Sequence, residues 1–564
     1  MLTWTGEYHN GVKDLAKRVK AYFSDKCDDF YPVVSCGETV DRLGYGADIS
    51  HALAEAGHPG WYFPHKSGET YKRYDVYGDE VLLNEIKAAR EAGKRIVMIA
   101  VGGGVNGNST GLLASLTGAD FIEVPTTPMH YNDATTSAKK AFSLVVDDVI
   151  LSKNILGCFY LPKLVFCVNE SLLTISSASA HATVGEACKT MNMLGIANST
   201  VGRRDYSNIM GSEEFASDFT KIILTVEGFE ALVSFILNED SKNLKGRILA
   251  LGDRIATLRP NGTTGKEAEG ELSELISERG TLMREYRESF YGLESCDGAR
   301  EFLTTINLEI VKAKAMFLAA SDPLEKYRAL LFEYAHTLGH GVEAFMNGLY
   351  TQAKAKGVEH EYALKLHGQC VGMAVLWAGE MSSRLGVLKD EGLTLHQSFV
   401  FLFNKFGGFS FAPMRKLCDE MGVTEEEFCE GVLKVVRRDN KRGYTKCGCG
   451  KSVDQLVCDR PGKMLRSDDK EAELRYLVEV DEEWQKDVLS LAFDGHFDKV
   501  ADLEGDEFCF MPEKDGRSHR GVDVAKRIRS GLQAMYKAEQ DVKPVVRPVP
   551  SRRITNKRVQ VAEN

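Results

Sequence analysis

From about residue 30 to 170, short apolar runs alternate with amphipathic stretches. Residues 31–35, 61–64, 95–101, 121–125 and 164–168 are β-rich and bounded by polar or turn residues, which predicts strands. Residues 80–92 and 110–116 carry helical spacing. Strands that alternate with helices predict a parallel α/β unit. Beyond about 170 the strand pattern fades. Apolar residues then recur at helical intervals through 178–194, 221–237, 302–320, 330–346 and 364–385. The expectation is an α/β domain over 1–168 and a mainly α-helical domain over 169–540. Charged helices around a Gly/Thr-rich joint at 259–265 form an insertion at about 198–298.

Composition narrows this further. A chain of 564 residues is long for one domain. A net charge of −11 offers no global attraction to nucleic acid or to an anionic membrane, so any phosphate site must be local. Thirteen scattered cysteines form no disulfide framework, which suits reduced thiols in the cytoplasm. The first twenty residues lack the apolar core of a signal peptide, and no apolar run approaches the ~18 residues of a membrane span. Two cysteines at 447 and 449 with Cys458 read as a Gly-rich loop more than a zinc site. Residues 541–564, rich in proline and arginine, read as a disordered basic tail.

Candidate chemistry is concentrated in three places. Glu333, His336, His340 and Glu343 recur at helical spacing inside an apolar run, so one helical face should carry two imidazoles and two carboxylates. That face suits a divalent metal or proton transfer, and equally two hydrogen-bonded core histidines. The apolar run 95–101 leads into Gly102-Gly103-Gly104 and then Gly107, a strand-to-helix turn where backbone N–H groups can approach a pyrophosphate. The upstream Glu69 and Lys72 could add ribose or phosphate contacts. Thr126 and Thr127 end the next strand, and Asn132, Asp133, Lys139, Lys140, Lys153 and Asn154 follow. Cations near strand ends suit a phosphorylated substrate.

Taken in order, the Gly102–Gly111 turn, Val124-Pro-Thr-Thr127, Asp133 with Lys139, Lys153-Asn154, Glu186-Ala-Cys-Lys189, His336-Thr-Leu-Gly-His340, His367-Gly368 and Asp439-Asn-Lys-Arg442 resemble the sugar-phosphate cyclases related to dehydroquinate synthase. The resemblance spans about residues 30–445. Asn108, Glu333-Tyr334 and the 438–444 stretch look like the 2-deoxy-scyllo-inosose synthase branch. The chain departs from the family in four ways. The turn 116–119 lacks the usual arginine, Ala335 replaces the usual glycine, Pro128 and His130 follow the threonines, and the interval from His336 to His367 is longer than the family spacing.

The resemblance implies an α/β N-terminal dinucleotide-binding domain plus a mainly α-helical C-terminal metal-binding domain. It implies one divalent ion, zinc or cobalt, on Glu186, His336 and His367. NAD would lie on Gly102, Gly103, Gly104, Asn108, Thr126 and Thr127, with Glu69 and Lys72. Asp133, Lys153, Asn154, Lys314, Arg328 and Lys441 would contact the substrate, and Lys139, Lys189, Glu333 and His340 would be catalytic. The implied substrate is a sugar phosphate, glucose 6-phosphate first and a heptulose phosphate second. The implied reaction is transient oxidation, phosphate elimination, re-reduction and aldol closure, in a homodimer with neither nucleic acid nor membrane as partner. An alcohol dehydrogenase and a non-catalytic relative are the rival readings.

Overall fold

A computed structural model of the chain describes residues 2–6, 29–146, 149–194, 231–258, 266–292, 328–358, 367–389, 408–438, 452–461, 463–465 and 476–501, with isolated positions between them (15, 17–19, 314, 324–325, 392–393, 396–397, 400 and 403–404). The eight strands of its first part are β1 (Leu2–Gly6), β2 (Phe30–Gly37), β3 (Trp61–His65), β4 (Arg95–Gly102), β5 (Asp120–Pro125), β6 (Lys139–Val146), β7 (Val149–Phe159) and β8 (Leu164–Val168). Six of them form a parallel sheet in the order β1-β8-β5-β4-β2-β3, and β6 and β7 pair apart from it as an antiparallel hairpin.

Four helices cover the sheet: α1 (Glu38–Leu43), α2 (Tyr45–Glu55), α3 (Glu80–Glu91) and α4 (Gly104–Thr117). Strand β4 shows why its sequence is continuously apolar. Val97, Ile99 and Val101 pack with Leu43, Ile49 and Leu53 of α1 and α2, whereas Ile96, Met98 and Ala100 pack with Leu82, Ile86, Leu112 and Leu113 of α3 and α4. Because β3 and β4 lie on opposite sides of β2, the strand order reverses between β2 and β4, and a crevice opens at their C-terminal ends. Buried Asn106 ties that point together. Its Nδ2 donates to the Ser35 carbonyl at 2.9 Å and to the Val101 carbonyl at 3.1 Å.

The later helices are α5 (Ser177–Leu194), α6 (Glu239–Leu258), α7 (Lys266–Tyr291), α8 (His336–Ala355), α9 (His367–Arg384), α10 (Ala412–Met421), α11 (Glu425–Val436) and α12 (Glu482–Phe493). Helix α6 rests on α1, where Gly252 admits the Arg42 backbone and Arg42 pairs with Asp253 at 2.6 Å. Helices α5 and α9 cross backbone to backbone. A Cβ on Gly185 would lie 1.7 Å from the Gly368 carbonyl oxygen, and one on Gly368 would lie 1.7 Å from that of Ala182.

Three sequence expectations change. The helix expected at 110–116 begins at Gly104, because burial of its glycine-rich first turns overrides their poor helix propensity. The β6–β7 hairpin was not expected. Its Leu144, Val146, Ile155, Leu156 and Phe159 face outward, so no clean two-residue alternation marks it. The run 330–346 is not one helix. Arg328–Glu333 is a 3₁₀ turn, Ala335 is left-handed at φ 64°, and α8 starts only at His336. Most of 221–237 and of 302–320, the 439–442 motif, the cysteines at 447 and 449 and the 541–564 tail lie outside the described residues. The described cysteines are free thiols, and no described helix is long and apolar enough to cross a membrane.

The α5–α9 crossing makes a prediction about stability. Gly368→Ala should cost at least about 2 kcal/mol in denaturant unfolding, because the new methyl meets backbone that cannot rotate away. An unchanged unfolding midpoint would contradict the crossing.

Candidate active site

The helix crossing places Glu186 of α5 beside His367, the first residue of α9. The left-handed Ala335 directs His336, the first residue of α8, to the same point. Glu186 Oε1 lies 3.4 Å from His336 Nε2 and 3.2 Å from His367 Nε2. The outer nitrogens of both rings are engaged. His336 Nδ1 is 3.1 Å from the Tyr334 carbonyl oxygen, and His367 Nδ1 is 2.9 Å from Glu343 Oε2. Both partners accept, so each Nδ1 carries hydrogen. In the neutral rings each Nε2 then points a lone pair at Glu186 Oε1, whereas a ring protonated at Nε2 donates to it.

Three lone pairs converging on one point are repulsive unless a proton or a metal ion lies among them. Ligands at the roughly 2.0–2.2 Å of zinc–nitrogen and zinc–oxygen bonds in a tetrahedral arrangement sit about 3.4 Å apart, close to both separations. One carboxylate with two imidazoles also matches the donor preference of zinc-like ions, so the residues fit a divalent metal. His340, one turn into α8, extends the cluster. Its ring centroid is 5.1 Å from those of His336 and His367, and the three histidines each offer a nitrogen within 4.8 Å of the others. Asp133 joins Glu186 and His336 in a second such group.

The electrostatics follow from burial. Fully buried Glu186 would be raised by desolvation, but the adjacent Lys189 ammonium and His336 hold its carboxyl well below the usual range. Lys189 Nζ donates to Glu186 Oε2 at 2.6 Å and to the Phe332 carbonyl at 2.9 Å. It therefore stands behind the carboxylate, in a positioning place, and not on the open side expected of a catalytic group. Burial pulls the His367 pKa down, yet hydrogen bonds donated to the Glu186 and Glu343 carboxylates outweigh it and raise it to about 10.

Glu333 does not share a helical face with His336, because Ala335 turns the chain between them. Its carboxylate instead reaches Lys139 Nζ at 3.7 Å. Lys139 also pairs with Glu325 at 2.6 Å, and the two acids raise its pKa against the opposing effect of burial. Lys314 Nζ donates to the Asn132 carbonyl at 3.1 Å and pairs with Asp133 at 3.2 Å. Burial raises the Asp133 carboxyl, but Lys314 outweighs it and leaves the group at about 2. Lys72 Nζ donates to Asn154 Oδ1 at 2.5 Å, and Glu69 accepts from Ser143 at 3.2 Å, so the upstream loop meets the β6–β7 hairpin. Lys441 lies outside the described residues, as do the side chains of Lys153 and Arg328.

The glycine turn closes the crevice. Gly103 caps α4 without a side-chain acceptor, which leaves its first N–H groups free for an anion. Asn108 Nδ2 donates to the Gly104 carbonyl at 3.0 Å. Thr126 N donates to the Gly102 carbonyl at 3.0 Å, and the Thr127 side chain packs over Gly103. Gly107 has a different task from the one its place in the motif suggests. A Cβ there would lie 2.7 Å from the His130 ring. Beneath the turn lies a buried trio that the sequence did not reveal. Glu123 accepts from Lys140 Nζ at 2.6 Å, and His130 Nδ1 donates to the Gly102 carbonyl at 2.8 Å. Burial raises Glu123, but Lys140 outweighs it and brings the carboxyl to about 2. The signal for this trio was His130 itself, an unusual residue after the threonines. Glu325 and the bracing role of Glu343 carried no signal, since each is defined by a partner distant in sequence.

Residues 63–182 match the family model described as 3-dehydroquinate synthase N-terminal. Over 456 residues the chain is 27% identical to 2-deoxy-scyllo-inosose synthase of Streptomyces paromomycinus, with 80% of this chain and 85% of the relative covered. It is 22% identical over 435 residues to the enzyme of that name from Niallia circulans, with 77% and 83% covered. A crystal structure of 2-deoxy-scyllo-inosose synthase complexed with carbaglucose-6-phosphate, NAD+ and Co2+ gives a TM-score of 0.49 at 19% identity, covering 86% of this chain and 96% of that one.

Ion binding should depend on pH in a defined sense. The ion and a proton compete for His367 Nε2, and the proton is held up to about pH 10. Each ion bound below that pH should displace one proton, so affinity should fall about tenfold for each unit of acidification between about pH 8 and pH 6. Competition against a chelating dye measures this, and a flat profile would contradict the ligand assignment.

Proposed function

Since this chain belongs to the dehydroquinate synthase-like family of sugar-phosphate cyclases, we propose that it converts glucose 6-phosphate to a carbocyclic ketone of the 2-deoxy-scyllo-inosose type and releases inorganic phosphate. The two organic molecules differ by one phosphoric acid, so NAD is regenerated in each turnover. The proposal divides the chain at about residue 168, with NAD on the first domain, a zinc or cobalt ion on the second and the sugar phosphate in the cleft, in a homodimer.

One observation carries this reading. The short segment from Thr126 to Ala134 touches the glycine turn at one end, through Thr127 on Gly103 and Ala134 on Gly104, and its Asp133 reaches the Glu186–His336 group. A hydride carrier on that turn and an ion on that group would therefore address one substrate.

The roles follow from the geometry. Bound NAD supplies a hydride acceptor and donor, and the ion supplies a Lewis acid for a carbinol oxygen. Glu186, His336 and His367 would hold the ion, with Lys189 fixing Glu186 and Glu343 fixing the His367 ring. Asp133, kept ionised by Lys314, accepts a hydrogen bond from a substrate hydroxyl. Lys139 receives the phosphate by exchanging Glu325 or Glu333 for it, which makes Glu333 a group that senses substrate charge. His340 takes or returns a proton at an imidazole nitrogen beside the ligand cluster. Lys153, Asn154, Arg328 and Lys441 complete the substrate set in this reading. Glu69 and Lys72 join Asn108, Thr126 and Thr127 on the cofactor side.

With glucose 6-phosphate, the enzyme should release phosphate and carbocycle in equal amounts without NADH absorbance. His336→Ala should lower the rate by about a thousandfold, in keeping with the several kcal/mol a Lewis acid contributes. Release from sedoheptulose 7-phosphate alone would move the substrate to the heptulose class. Net NADH, or no phosphate from either sugar, would overturn the reading.

A further inference from the structure

A second polar cavity lies away from the histidine cluster, where α7 meets the α1–α2 corner. It holds about 320 Å³ and is lined by Arg279, Arg284 and Arg287, by Thr281 and Leu43, and by Asp48 as its one carboxylate. The arginines come from successive turns of α7, within the 198–298 region that sequence alone marks as an insertion.

Arg279 is the unusual member. It is 3% exposed, and its Nη1 has no hydrogen-bond partner. Its guanidinium lies against Gly44, where an added Cβ would fall 2.6 Å from Cζ. Gly44 is both the C-cap of α1 and the N-cap of α2, an 11-residue helix with no side-chain cap. The buried cation thus sits at a junction where the carbonyl end of six-residue α1 meets the N–H end of the longer α2, and the N–H end favours an anion there. Its ion pair with Asp48 spans 3.7 Å, and Asp48 is 38% exposed, so the pair is long and screened. Uncompensated buried charge is expensive, and the wall adds two further guanidinium groups.

We propose that this cavity binds a small phosphate-bearing anion, held by the forked guanidinium groups of Arg279, Arg284 and Arg287 at the N-terminus of α2. Guanidinium groups engage phosphate oxygens in pairs, and the volume suits an ion or a small ester and excludes a polymer. None of its lining residues belongs to the ligand cluster or the glycine turn. The six residues of α1 run from the C-terminal end of β2 at the crevice to this Gly44 corner. Occupancy would therefore fix the corner that supports the crevice wall.

The test is calorimetric titration of the full chain with inorganic phosphate, and separately with glucose 6-phosphate, at constant ionic strength. Each titration is run on the natural protein and on the Arg284→Gln, Arg279→Gln and Lys139→Ala variants. Arg284 is exposed, so its variant should fold. The expected result is a binding event that survives Lys139→Ala and weakens at least tenfold in both arginine variants. Equal affinity for the two probes identifies the phosphate group alone as the ligand, and tighter binding of the ester identifies a phosphorylated metabolite. Arg279→Gln should also leave the melting temperature in chloride unlowered while it abolishes the phosphate-induced rise. Affinity unchanged in both arginine variants, or no heat up to about 10 mM of either probe, a range that covers weak millimolar sites, would overturn the proposal.

Discussion

Glu186 Oε1 lies within 3.4 Å of both His336 Nε2 and His367 Nε2, and much of the chain is arranged to hold these three lone-pair atoms together. Left alone they repel, and only a proton or a metal ion among them reconciles the groups. Each is braced from behind by a partner: Lys189 for the carboxylate, the Tyr334 carbonyl for one ring and Glu343 for the other. The braces fix which nitrogen carries hydrogen and so aim the acceptors inward. The convergence also depends on backbone. Gly185 and Gly368 let α5 and α9 touch, and a left-handed Ala335 starts α8 at His336 itself. A non-glycine residue in that conformation is strained by roughly 1–2 kcal/mol, and the packing around buried Tyr334 and His336 maintains it.

A second constraint lies at the crevice between β2 and β4. Asn106 holds the two strand ends together, His130 anchors the Gly102 carbonyl, and the Glu123–Lys140 pair lies beneath. A buried ion pair with good geometry adds little net stability, but removing one member leaves an uncompensated charge. The glycine turn is thereby held rigid from below while its N–H groups stay open above. Thr126 to Ala134 then links this turn to the ligand cluster, so the two halves of the site are joined through one short stretch.

Much of the sheet was legible in the sequence because β4 and β8 are buried along their length and read as apolar runs, and β5 is interrupted only by Glu123. The β6–β7 hairpin was not, since outward Leu144 and Ile155 disguise its alternation. In the site, the four-residue interval from His336 to His340 could be read directly. The same periodicity misplaced Glu333, because nothing in the composition of 330–346 announces the left-handed turn at Ala335. Glu186 and His367 lie on other helices, so spacing could not join them to His336, and only the motif resemblance did. Partnerships such as Glu325 with Lys139, or Arg279 with Gly44, depend on how distant segments pack and leave no local trace.

The central claim is that Glu186, His336 and His367 together hold one divalent ion. Metal content of the purified full-length protein by elemental analysis, before and after dialysis against a chelator and re-addition of zinc or cobalt, addresses it most directly when compared with His367→Ala. The account predicts one ion per chain in the natural protein and essentially none in the variant, with both folded by circular dichroism. Equal metal content in the two, or no uptake by the natural chain, would contradict it.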